Sequence, residues 1–279
     1  MRGANTMKIP FMKMSGSGND FIMIDHRKPI LKKDQMKGFA QKVCRRRVSV
    51  GADGLIFIEP SEKADFKWQF FNANGSEAEM CGNGGRCAAR FAYLKGIAGP
   101  SLTFETIAGI LSARVDGMRV KLEMTRPHHL KLDEDLSVEG RRLSLSSLNT
   151  GVPHAVHFVE DVEGWDVVRM GRAVRNHPHF APGGTNVNFV QLGKESELIV
   201  RTYERGVEDE TLACGTGVVA SSLIAAFKGL IKSPAMAKTR GGEVLRVHFE
   251  IEGTEVKKVF FEGDVHFVYE AELWEETYL

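Results

Sequence analysis

The chain has 279 residues, 43% hydrophobic and 26% charged, with a formal net charge of +1. That is the composition of a soluble globular protein with room for two domains of ordinary size. Near-neutral charge leaves no basic footprint for nucleic acid and no polybasic arm for a lipid surface. The longest apolar run, Val218 to Phe227, is broken by Ser221 and Ser222 and falls well short of a membrane span.

In chain order, Met1 to Pro10 contain no apolar signal core, so a cytoplasmic location is expected, with Met7 as an alternative start. Ile9 to Met14 and Phe21 to Ile24 read as strands joined by a turn in which Gly16 and Gly18 allow tight bending. Asn19 and Asp20 emerge from that turn and read first as turn formers. Asp34 to Arg47 predicts a helix, with Asp34 as its N-cap and Arg45, Arg46 and Arg47 as a solvated C-terminal end. Gly51 to Gly54 turns into a strand over Leu55 to Ile58, and Phe66 to Phe71 predicts another. Leu102 to Met124 alternates as strands, with a turn at Asp116-Gly117.

Arg126-Pro127-His128-His129 reads as a domain boundary, giving a first domain of residues 1–126. Beyond it, Pro153 sets a turn before a strand that starts at His154, which alone reads as a structural histidine. Trp165 to Arg175 predicts a helix, and Asn186 and Asn188 head a strand. Gly241-Gly242 and Asp264 are expected to separate three closing strands.

Two stretches match across these halves. Phe66 to Phe71 leads into Asn72 and a polar loop, then Cys81-Gly82-Asn83-Gly84 and a small-residue helix. Leu198 to Tyr203 leads into Glu204-Arg205, then Cys214-Gly215-Thr216-Gly217 and another. The first turn of a helix exposes unpaired N–H groups and partial positive charge, which favour thiolate over thiol and attract a carboxylate to bare glycine amides. A matched pair of such thiols suits acid/base work on one carbon from opposite sides, as inversion of a stereocentre requires.

Other readings fit less well. Gly215-Thr216-Gly217-Val-Val-Ala220 has the loose form of a nucleotide fingerprint. It follows the acidic loop Glu208-Asp209-Glu210, which would repel a pyrophosphate. A covalent cysteine hydrolase needs one thiol, and a silent amino-acid-binding protein needs neither. The four cysteines, Cys44, Cys81, Cys87 and Cys214, show no Cys-x-x-Cys spacing, so no metal is expected; Cys44 and Cys87 read as buried small apolar residues.

The chain resembles the diaminopimelate epimerase family. The residues that carry the resemblance are Lys13 to Phe21, Phe71 to Ser76, Cys81 to Gly84, Gly184 to Phe189, Tyr203 to Gly206 and Ala213 to Gly217. The resemblance implies an α+β fold of two pseudo-symmetric domains, each a curled mixed sheet or barrel around a central helix, with the active site in the cleft between them. The last strand, 266–279, would return to the first domain and leave 127–265 as the second. It also implies cofactor-free interconversion of LL- and meso-diaminopimelate, with Cys81 and Cys214 as the two bases. Gly82, Asn83, Gly215 and Thr216 would hold the reacting carboxylate. Asn19, Asn72, Asn186, Glu204 and Arg205 would grip the distal end, with His154 and Glu204 tuning the thiols. A homodimer is the partner state that the resemblance suggests. Val152, Gly54 and Ser15 stand where members carry Asn, Gln and His, so polar contacts there are expected to be missing. A proline or hydroxyproline racemase-like activity is the nearest rival and would not need Asn72, Asn186, Glu204 and Arg205.

Overall fold

The computed structural model describes residues 8–278, so the expectation for residues 1–7 lies outside the described part. The chain divides into two compact units. One ends at Leu122 and resumes at Asp264; the other is continuous from Glu123 to Gly263. The changes of unit thus fall a few residues before the Arg126-Pro127 boundary and two residues before 266.

The first unit holds β1 (Ile9–Gly16), β2 (Asn19–Asp25), α1 (Lys33–Val43), β3 (Gly54–Glu59), β4 (Phe66–Asn72), α2 (Gly82–Leu94), β5 (Ser101–Thr106), β6 (Gly109–Asp116) and β7 (Arg119–Glu123) except its last residue. The second holds β8 (His128–Val138), β9 (Arg141–Asn149), β10 (Pro153–Phe158), α3 (Val167–Arg175), β11 (Asn186–Leu192), β12 (Glu197–Glu204), β13 (Asp209–Thr211), α4 (Gly215–Phe227), β14 (Ala235–Thr239) and β15 (Val244–Glu252). The last strand, β16 (Glu255–Leu273), gives its first residues to the second unit and the rest to the first.

In the first unit the order runs β1 to β7 and then β16, whose later half pairs with β1 from Val265 to Leu273 and closes an eight-stranded barrel. Most neighbours are antiparallel, but β2 runs parallel to β3 and β4 to β5, because α1 and α2 bridge those pairs. In the second unit the order is β16-β15-β14-β12-β11-β10-β9-β8, with β13 on β12. There β10 is parallel to β11 across α3, and β12 to β14 across α4. The two units therefore repeat one β-α-β-β-α-β plan, the duplication that the paired Cys-Gly-x-Gly stretches announce.

Each unit has one helix outside its sheet and one enclosed by it. On α1, Met36, Phe39, Ala40 and Val43 pack over Ile22, Ile24, Leu55 and Phe57. On α3, Val167, Met170 and Val174 pack over Ala155, Val187, Phe189 and Tyr203, and Gly171 lets the helix approach until an added Cβ would meet Tyr203 Cβ at 2.4 Å. By contrast α2 is buried on every side from Gly82 to Ala89, and α4 from Val218 to Ala225. Such helices are core elements, and each fully buried Phe, Ile or Leu contributes about 1.5–3 kcal/mol. Strands covered on both faces read as unbroken apolar runs, as at Phe21–Ile24 and Leu55–Ile58.

Three local expectations are corrected. The N-cap of α1 is Lys32, not Asp34, because the Gln35 side chain reaches back to the Lys32 amide at 3.0 Å; Asp34 lies in the first turn. That helix stops at Val43 and not at Arg47; the three arginines beyond it are exposed, as expected, and Arg46 also ion-pairs with Asp20 and Asp53 at 2.5 and 2.8 Å. Asp264 does not break a strand: β16 runs straight through it, paired with β15 before it and β1 after it. Among the described residues, no helix is long and apolar enough to cross a membrane.

Candidate active site

Cys81 and Cys214 are both N-cap residues, at the first turns of α2 and α4. Each has extended backbone, φ −150° and ψ 118° at Cys81, φ −118° and ψ 106° at Cys214, which turns the chain from loop into helix. The Cys81 sulfur takes the role that a serine oxygen plays in an ordinary cap, accepting from the Gly84 amide at 3.4 Å. The Cys214 sulfur lies 3.5 Å from Thr216 Oγ1. Gly82, Asn83 and Gly215, Thr216 thus occupy the first helical positions, where amides have no intrahelical partner.

The other two cysteines behave differently. Cys44 and Cys87 are buried, and burial pushes both thiols up to about 12. They are neutral packing residues, as the sequence predicts.

In the first unit, Asn19 and Asn83 belong to one chain of hydrogen bonds. Asp53 Oδ2 accepts from Asn19 Nδ2 at 2.9 Å, and Asn19 Oδ1 accepts from Asn83 Nδ2 at 2.8 Å. Asn83 Oδ1 accepts from Arg86 Nη2 at 2.8 Å, and the same nitrogen donates to Ser17 Oγ at 2.5 Å. A carboxylate can only accept and a guanidinium can only donate, so the two ends fix the orientation of both amides between them. Asp53 is itself held by Arg46, and Asp20 by Arg46 and Lys13. Burial pushes the Asp20 carboxyl up, but hydrogen bonds from Arg46 and Lys13 outweigh it and leave it below the usual carboxylate range. Asn72 does not join this chain; its Nδ2 donates to Ser76 Oγ at 3.0 Å inside its own turn.

In the second unit, Asn186 and Arg205 come together. Asn186 Oδ1 accepts from the Arg205 amide at 2.9 Å, its Nδ2 donates to the Pro153 carbonyl at 3.1 Å, and Arg205 Nη1 donates to the Gly183 carbonyl at 3.1 Å. Glu204 ends β12 beside them. His154 opposes Asn186 in the β10–β11 register and is only 1% exposed. Burial, helped by the positive charge of Arg205, pushes its imidazole down to about 3. Thr216 accepts through its carbonyl from Thr150 Oγ1 at 3.2 Å.

Sequence reasoning missed Asp53, Arg86, Asn188 and Thr202. Asn188 stands inside the Gly184–Phe189 motif and Arg86 two residues past Cys81–Gly84, but only the structure shows Arg86 fully buried and Asn188 hydrogen-bonded to His154. Gly54 fits its surroundings because an added Cβ would meet Phe70 Cε2 at 2.5 Å and the Phe71 carbonyl oxygen at 2.9 Å. Among the described residues, no group of three or more His, Cys, Asp or Glu is placed to hold a metal ion.

A family model described as diaminopimelate epimerase matches residues 11–130 and 146–268. A diaminopimelate epimerase of Aquifex aeolicus is 49% identical over 278 residues, covering 96% of this chain and 98% of that protein. One of Archaeoglobus fulgidus is 43% identical over 249 residues, covering 85% and 88%. Among solved structures, a PhzF-family phenazine biosynthesis protein of Bacillus anthracis superposes with a TM-score of 0.74 at 18% identity, covering 96% of this chain and 99% of that one. A hydroxyproline epimerase of Agrobacterium vitis, with bound trans-4-hydroxy-L-proline, gives 0.72 at 14% identity, covering 96% and 93%. At such identities these two structures establish the fold alone.

Proposed function

Because the chain belongs to the diaminopimelate epimerase family, we propose that it interconverts LL- and meso-2,6-diaminopimelate, a step toward lysine and cell-wall precursors. The observation that carries this reading is the pair of N-capping cysteines, one at each enclosed helix of a duplicated plan. One sulfur enters as thiolate and takes the Cα proton; the other enters as thiol and gives its proton to the opposite face. One C–H bond breaks, another forms, and no electrons are gained or lost, so the step balances with no cofactor. The Cα proton is far less acidic than a thiol, so the negative charge that develops toward the carboxylate must be stabilised. The first-turn amides at Gly82, Asn83, Gly215 and Thr216 suit that task.

Asn19, Asn72, Asn186, Glu204 and Arg205 are proposed to hold the distal amino-acid end. The Asn19–Asn83 and Asn186–Arg205 pairings support this, since each fixes the polarity of its donors and acceptors in advance. Working thiols need a reducing compartment, which supports a cytoplasmic location. Phe267, Val268 and Tyr269 on β16 leave apolar surface exposed, which supports a homodimer, proposed here and to be checked by sedimentation.

The deciding experiment incubates the purified protein with LL-diaminopimelate in D₂O. Formation of meso product carrying one deuterium at the inverted carbon is expected. Absence of exchange would reject the reading and redirect the search to proline-type substrates; exchange without inversion would reject a two-base site.

A further inference from the structure

His154 is the one residue of the second half-site whose chemical form the surrounding hydrogen bonds dictate. Asn188 is fully buried beside it, and the Ala155 carbonyl decides how its amide points, with the Thr202 hydroxyl turned to suit. Its Nδ2 donates to the Ala155 carbonyl at 3.0 Å, an oxygen that can only accept, and its Oδ1 accepts from Thr202 Oγ1 at 2.9 Å. The second Nδ2 proton therefore points at His154 Nδ1, 3.2 Å away, and that ring nitrogen must accept. The imidazole proton is left on Nε2. Among the described residues, that buried Nε2 has no hydrogen-bond partner. Packing leaves the amide no other place: an added Cβ on Gly217 of α4 would sit 2.2 Å from Asn188 Oδ1. A buried N–H without an acceptor is unfavourable, so the fold retains it at a loss that a ligand can recover.

We propose that Asn188 and Thr202 are positioning residues that hold His154 as a neutral Nε2–H donor, and that a carboxylate of the amino-acid substrate is its acceptor. This rests on the epimerase reading and deepens it. His154 then serves neither as the base that ionises a thiol nor as an imidazolium paired with a thiolate. Arg205 is the charged group that acts on the ring, and its positive charge favours the uncharged imidazole, in keeping with a donor role.

The test uses ¹⁵N-histidine-labelled full-length protein, with long-range proton–nitrogen spectra between pH 5 and 8 and the His154 signals assigned by their loss in His154→Gln. The expected wild-type spectrum has Nε2 protonated, Nδ1 bare and no titration in that range. In Asn188→Asp, the new carboxylate should draw a proton onto Nδ1. Thr202→Ser, which keeps the hydroxyl, should leave the spectrum unchanged. In epimerase assays His154→Gln, which keeps a neutral donor near Nε2, should stay within about tenfold of wild type, while His154→Leu should lose about a hundredfold or more. A wild-type ring protonated on Nδ1 or titrating between pH 5 and 8 would overturn the proposal, and so would Gln proving as inactive as Leu. The spectrum is independent of turnover: an inactive wild type with the expected spectrum would sink the substrate assignment and leave the tautomer lock standing.

Discussion

Asp53 shows how much of a binding site can lie in a residue that sequence reading passes over. One of its oxygens accepts from Arg46, the other from Asn19 and the Asp20 amide. Replacing it with Asn removes the acceptor-only end of the chain and leaves Arg86 alone to set the polarity of Asn83 and Asn19. Asp53→Asn is therefore expected to raise KM roughly tenfold with a smaller change in kcat, read from initial rates at varied substrate. Cys81→Ala or Cys214→Ala should each lower kcat by about 10²–10⁴-fold, because either direction of inversion needs both proton carriers; full activity in one variant would remove the two-base mechanism. His154 also governs the acid response of the fold. Its folded value near 3 lies below its ordinary 6.5, so the unfolded chain binds this proton first. The associated stability is complete above about pH 6.5 and is lost as pH falls toward 3; Asp20, also held low, adds its own loss below its ordinary 3.8. Urea midpoints measured from pH 7 to 3 should fall less steeply in His154→Gln.

Among the secondary-structure elements, the two enclosed helices were legible because their signals are local: a capping cysteine, glycines, then small residues. The ends of α1 were not. A long-range ion pair draws Arg46 to Asp20 and Asp53, and no window around Arg45 to Arg47 contains those partners. Asp264 misled for a similar reason, since ladder partners on both sides of it override a residue that favours turns. The half-site residues divide in the same way. Positions inside the repeated motifs could be read in order, while Asp53 and Thr202 enter only through partners 34 and 14 residues away. The start of α4 is packed to its limit, so Gly217→Ala must displace the Asn188 amide. It is expected to cost about 1–3 kcal/mol in denaturant unfolding and to release the histidine tautomer as well.

At the scale of the molecule, the last strand decides when the fold can be finished. Ile9 pairs with Leu273, so β1 waits for the far end of β16 before its barrel can close. The unit spanning Glu123–Gly263 is continuous in the chain and needs nothing from beyond it. On a ribosome that emits residues from the N terminus, the later-made unit is therefore complete first. The earlier-made one is held open, with β1 paired to β2 on one side and lacking β16 on the other. Synthesis order and folding order are inverted in this chain. A premature stop within β16 thus harms most the half of the protein that was translated longest before it.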